Sequence, residues 1–247
     1  MASDRPLPIR LLEVASVAAF VAVAGALATR LWSVPWETPQ LLLMCAGALL
    51  GYLAADVVSG IVHWFCDTFF RDDTPLIGRA FIHPFREHHV DPRAITRHGF
   101  FEVNGNNCLA LVPFVAAVLV FGEPADGEEV PALVGQSLAF AFALATFATN
   151  QIHKWAHQER PAAAVRCLQR TRLILSPAHH DRHHSTHRQA FSITAGLLDP
   201  VLDRLGIFER IEHAVGHVPV DDAGRDARCG GVRTSPRRLP DDRAAEG

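Results

Sequence analysis

The run AHHDRHHSTH, residues 178–187, packs five histidines (His179, His180, His183, His184 and His187) into nine residues of a chain that has 14 in all and one lysine. The others with helical spacing are close at hand in type. In HKWAH, His153 and His157 stand at i and i+4, one helix face, about 6 Å apart. His180, His183 and His184 repeat at i, i+3 and i+4. EHH sets His88 beside His89, and HWFCD sets His63 four residues before Asp67. Neutral imidazole ligates zinc, copper, iron and nickel. Eight such nitrogens exceed the four ligands of a tetrahedral zinc site and suit two metal ions. A loose metal buffer or a pH-sensing patch would use the same residues. His83, His98, His179 and His187 are equivocal by spacing. His213 and His217, alone in the tail, read as surface residues.

Those side chains need elements to hold them, and the elements are apolar. Of 247 residues, 49% are hydrophobic and 20% charged. The apolar content sits in four runs: Leu11–Ala28, Leu41–Val62, Cys108–Gly122 and Pro131–Thr149. About 20 helical residues cross a hydrocarbon core. The second and fourth runs meet that length, and the first meets it between Arg10 and Arg30. The third, short and containing Pro113, spans or re-enters. Arg5, Arg10 and Ala26-Leu27-Ala28 also give the first run the look of a signal peptide. The 71–98 segment carries Arg71, Arg79, Arg86, Arg93 and Arg97, whereas the 123–130 loop is acidic. The positive-inside tendency puts the first in the cytoplasm and the second outside. The expected fold is all-α: an integral membrane bundle of about four transmembrane helices with a cytoplasmic, histidine-rich helical cap, residues 1–218. A tail, 219–247, is expected to be disordered. Every grouped histidine then falls at the cytoplasmic boundary. Leu198, Val201, Leu202, Leu205, Phe208 and Ile211 recur at helical steps, as one amphipathic helix on the interface or one packed against the site.

Other chemistries lack their motifs. HExxH, G-x-S-x-G, G-x-G-x-x-G and the P-loop are missing, as are the Glu-x-x-His pairs of soluble di-iron bundles. Five cysteines form no CxxC, and no basic stripe with interleaved aromatics suggests nucleic acid. What remains is a histidine-held dinuclear site at a membrane surface, whose natural substrate is a lipid chain. A zinc hydrolase and a metal carrier in the membrane stay open as readings of another class.

The segments SGIVHWFCDTF, PFREHHVDPRAITRHGFFEVNGNN, TNQIHKWAH, LILSPAHHDRHH and ITAGLLD resemble the Kua/CarF lipid desaturase family over roughly residues 50–212. The resemblance implies an integral membrane enzyme; a bacterial cell membrane is expected, and the charge pattern puts the site and both termini in the cytoplasm. It implies two histidine-held iron ions and O2 as co-substrate, with electrons from a separate reductase and small carrier. The reaction implied is formation of the 1,2 vinyl ether double bond in the sn-1 alkyl chain of an ethanolamine phospholipid, giving a plasmalogen. The family also includes a plastid enzyme that desaturates an acyl chain of phosphatidylglycerol. The metal ligands carried over are His63, His88, His89, His153, His157, His180, His183 and His184. His98, His179 and His187 stand as further ligands or supporting residues, and His83 falls to a supporting or incidental role. Asp67 ligates a metal or orients His63. Asp56, inside the second run, must be paired or face a cavity, and Asn104 either lines the site or caps a helix.

Overall fold

The computed structural model describes residues 5–70, 73–75, 78, 82–123, 127 and 129–216. Among these residues there are ten helices and no strand: α1 (Leu7–Trp32), α2 (Thr38–Phe69), α3 (His83–Val90), α4 (Ala94–Arg97), α5 (Phe100–Phe121), α6 (Glu129–Ala156), α7 (Ala163–Arg170), α8 (Pro177–Thr186), α9 (Asp199–Leu205) and α10 (Ile207–Ala214). The expected tail, residues 219–247, and His217 lie outside the described residues.

Four helices, α1, α2, α5 and α6, are long and apolar enough to cross a membrane. The third run therefore extends to a full span. Its extra turns come from FFEVNGNN, ahead of the apolar run. In α5 the Asn107 amide donates to the Thr146 carbonyl (2.8 Å), and Asn150 of α6 donates back to Val103 O (2.9 Å). The amides thus become interhelical hydrogen bonds, the usual device where water is excluded. Asn104 is no cap: Gly99 precedes the helix, and Asn104 is buried within it, donating to Phe100 O. Nor is α1 a loosely attached leader. Its Phe20, Ala24, Leu27 and Leu31 form the main core with Cys108, Leu111 and Val115 of α5.

α2 and α6 make the closest pair, and small residues explain it. Gly47 and Gly51 stand four apart on α2. A Cβ on Gly47 would lie 2.6 Å from Val134 O, and one on Gly51 would strike Leu138 O. Only glycine lets the two backbones approach so nearly. The same spacing continues through Ala55 and Ser59, both buried.

Length then sets where the chemistry falls. α2 has 32 residues and α6 has 28. At 1.5 Å per residue, His63 lies about 38 Å and His153 about 36 Å along their helices. A hydrocarbon core is about 30 Å thick, so both stand just beyond it, at the same end. Aromatic side chains mark the boundaries, as they do in membrane helices. Trp64, Phe65, Phe69 and Phe70 cluster at the histidine-bearing end of α2, and Trp32 packs on Trp36 at the far end. At that far end Arg30 pairs with Glu123 at 2.7 Å, so the acidic loop begins opposite the histidines.

The segment 190–195 is buried without being helical. Asp56 of α2 holds its far side: Oδ1 accepts from Ala195 N (2.8 Å) and Gly196 N (2.9 Å), and Oδ2 from Leu197 N (2.8 Å). Asp56 is therefore paired. Ser59 accepts from Ile193 N, and Thr149 and Thr194 share a hydrogen bond.

The chain divides at Gly206 into two compact units, residues 1–205 and 206–247. The expected single amphipathic helix is two. Gly206, at φ 58°, breaks the register between α9 and α10, a conformation most residues avoid. Val201 and Leu205 are exposed on α9; on α10 Ile211 is exposed and Phe208 buried.

Candidate metal centre

Each histidine-bearing element ends or begins where its sequence says it should. Ser176 caps α8 by accepting from His179 N, and Pro177 follows in the first turn. His187 closes the helix in the left-handed conformation, φ 54°. α3 stops at Asp91, ahead of Pro92. α2 and α6 deliver His63, Asp67 and His153 from their last turns, with His157 just past α6.

Those elements converge their imidazoles into two sets. In the first, three Nε2 atoms surround one carboxylate oxygen. Asp67 Oδ2 lies 3.3 Å from His63, 3.1 Å from His89 and 3.5 Å from His183. His183 Nε2 is 3.4 Å from His89 Nε2. In the second set four Nε2 atoms meet. His153–His180 is 2.8 Å, His157–His153 3.2 Å, His157–His180 3.0 Å, His180–His184 3.0 Å and His157–His184 3.4 Å. His88 lies within reach of both sets, which form groups able to hold a metal: His63, His88, His89, His183 and His88, His153, His180, His184.

The donor chemistry tests whether a cation fits. His63 Nδ1 stands 2.9 Å from Phe191 O and His183 Nδ1 3.0 Å from Gln189 O. A carbonyl only accepts, so the Nδ1 of each ring carries a proton, and in the neutral ring Nε2 is a bare lone pair. Those lone pairs face a carboxylate oxygen, and acceptor facing acceptor is repulsive unless a cation lies between. Ligands on a metal about 2.1 Å away sit about 3.0–3.4 Å from each other. The observed separations match that shell. Buried nitrogens and oxygens without a hydrogen-bond partner accumulate here too: His63 Nε2, Asp67 Oδ1, both nitrogens of His88, His89 Nδ1 and His180 Nδ1. Native proteins leave few such atoms. The residues fit a pair of metal ions.

Protonation does not compete. Burial and neighbouring imidazoles push His157 down to about 4 and His184 down to about 3. The same causes hold His88 and His180 well below the usual histidine range. Neutral rings at pH 7 are the ligating form.

The remaining expected residues fall around these sets. His187 lies against His89, ring centroids 4.8 Å apart. His179 is committed to buried Asp199 (2.7 Å), which also accepts from Ser192 N. His98 pairs with Glu102 at 2.7 Å in a network with Arg5 and Glu13 that ties α1 to α5. His83 and His213 are exposed. The roles of Asp199 and of the 189–191 carbonyls escape sequence reading, because nothing local marks a backbone oxygen as a histidine's partner. Asp67 was visible through its i, i+4 spacing from His63.

Comparison with known proteins agrees with this geometry. Residues 52–226 match the lipid desaturase domain. The chain is 44% identical over 225 residues to plasmanylethanolamine desaturase of Myxococcus xanthus, covering 89% of this chain and 78% of that one. It is 42% identical over 185 residues to plasmanylethanolamine desaturase 1 of Mus musculus, covering 73% and 67%. To the chloroplastic fatty acid desaturase 4 of Arabidopsis thaliana it is 32% identical over 165 residues, covering 66% and 48%. No solved structure matches the chain.

Proposed function

The chain belongs to the lipid desaturase family, and from that premise we propose that it forms the vinyl ether of plasmalogens. Its substrate would be an ethanolamine phospholipid with an sn-1 alkyl chain, desaturated between C1 and C2. The observation that carries this reading is the pair of ligand sets at one end of a membrane bundle, lone pairs facing inward with no proton to share. The two relatives above 40% identity, both named plasmanylethanolamine desaturase, favour the ether chain over the acyl chain.

His63, His89, His183 and Asp67 would hold one iron, and His153, His157, His180 and His184 the other, with His88 in reach of both. Iron supplies O2 activation and hydrogen removal from an unactivated C–H bond, which redox-inert zinc cannot. The reaction balances with one O2, two electrons and two protons taken up. Two hydrogens leave the chain as C1 and C2 become a double bond, and two waters form. The sequence has no flavin or nicotinamide motif, so the electrons come from a separate donor. The Phe191 and Gln189 carbonyls fix the tautomers of His63 and His183, which spares reorientation when metal binds. Phe85 and Phe191 pack on His63 and keep that side of the set dry. Arginines in the 71–98 segment support a cytoplasmic placement of the site.

The test is direct. Cells expressing the chain and fed alkyl-acyl ethanolamine lipid in air should yield lipid that releases an aldehyde in mild acid. Diacyl phosphatidylglycerol should be untouched. An acyl-chain double bond instead would transfer the assignment to that substrate. Neither product, with iron, O2 and a competent donor present, would remove the assignment altogether.

A further inference from the structure

His88 differs from every other histidine of the site in one respect. Both of its ring nitrogens are buried with no hydrogen-bond partner, and the residue is 2% exposed. His63 and His183 each give their second nitrogen to a backbone carbonyl; His88 gives neither away. It is also the one residue common to both metal-binding groups. Its ring lies 4.3 Å from that of His89 and 5.2 Å from that of His63, of the first set, and 4.8 Å from His153 and 5.0 Å from His184, of the second. The rings of His153 and His184 stand nearly perpendicular to it, at 90° and 87°.

An imidazole with one ordinary metal bond keeps a proton on its other nitrogen, and that N–H needs an acceptor. Buried among basic nitrogens that are themselves turned to metal, His88 has none. We propose that His88 is shared as a bridging ligand, one nitrogen to each metal ion. The N–H bond is broken when the second ion binds, the proton goes to water, and a nitrogen–metal bond replaces it. No oxidation change is involved. The bridge explains why both nitrogens lack protein partners, and it places a conjugated ring between ions that must together deliver two electrons to O2. The inference rests on the two-metal reading above, and its test separates the two.

Copper(II) serves as the probe, since imidazole binds it well and its unpaired electron reports coupling. The full chain, purified in detergent and stripped of metal, is loaded with copper and read by metal content and electron paramagnetic resonance. The unaltered protein should bind two coppers, with a signal far below that of two independent spins, weakening further on cooling. In His88→Ala each bound copper should give its full signal. Added imidazole should restore the coupling in that variant, while 1-methylimidazole, with one donor nitrogen, should not. His153→Ala, which removes a donor from one set only, should keep the coupling in chains that retain both ions. Two bound coppers with two full, independent signals in the unaltered chain would overturn the bridge and leave the two-metal reading standing. A capacity of one copper per chain would overturn that reading and the bridge with it.

Discussion

Asp67 is the residue at which a metal site and a merely polar interior make opposite predictions. Its Oδ2 is surrounded by three imidazole nitrogens, two of them held as bare acceptors by backbone carbonyls. If the arrangement existed for a cation, Asp67→Asn should remove a ligand and a charge, and the protein should lose about one of its two ions. The metal-free variant should nevertheless be more stable. The new amide donates where the carboxylate could only repel, a gain of about 1 kcal/mol, seen as a higher melting temperature of the stripped protein. A lower melting temperature with metal capacity intact would make Asp67 a structural residue. The eight histidines make a plainer prediction. Replacing His157 or His184 by Ala should abolish activity and cut bound iron, because a second-set ligand is lost. His213→Ala, on the exposed face of α10, should change neither. These residues were legible in the sequence because helical spacing is local: i and i+4 put two rings on one face whatever the fold. His98 and His179 were not separable from them by that rule. What sets them apart is a carboxylate partner outside the two sets, Glu102 in the next helix and Asp199 twenty residues on.

At the scale of elements, the spans were readable and the segment between α8 and α9 was not. Hydropathy marks a span because lipid offers backbone groups no partner, so a long apolar run must be helical. ITAGLLD has no such compulsion. Its backbone N–H groups are satisfied from outside, by Asp56 and Ser59 on α2, more than 130 residues away in sequence. Only the demand that Asp56 be paired was visible. That carboxylate now has a predictable weight. Asp56→Ala would orphan three N–H groups, two of them buried and worth about 1–3 kcal/mol each. The variant should unfold at clearly lower temperature or fail to accumulate. Asp56→Asn keeps an acceptor for Ala195 and Gly196 or for Leu197, not for both, and should fall between. The loss should reach the metal as well. The same segment carries Phe191, whose carbonyl fixes His63, so iron content should decline with stability although Asp56 touches no ligand. Full iron in a destabilised Asp56→Asn protein would mean that the segment holds its histidine partner without this anchor.

For the whole molecule, the decisive arrangement is that all four ligand-bearing elements meet at one end. α2 and α6 rise in the same direction, packed through Gly47 and Gly51, and extend past the hydrocarbon by about three and about two turns, judged from a core of about 30 Å. α3 and α8 lie beyond those ends and close the two sets. A site so placed can meet a lipid chain from the bilayer and an electron carrier from solution, but only on the side where the carrier resides. Charge supports the cytoplasmic placement proposed above. Arg86, Arg93 and Arg97 lie among the histidines' own elements, while Glu123 begins the opposite loop. A reporter fused after Arg86 and another after the tail should therefore both register cytoplasm, and one in the 123–130 loop the opposite compartment. Span number alone does not force this result, because an inverted four-span bundle would keep every contact described above. Inversion would leave the fold and the metal sets intact and carry them away from cytoplasmic reductant. The measured outcome thus bears on electron supply rather than on structure. If the 123–130 reporter were cytoplasmic, a donor outside the cytoplasm would be required.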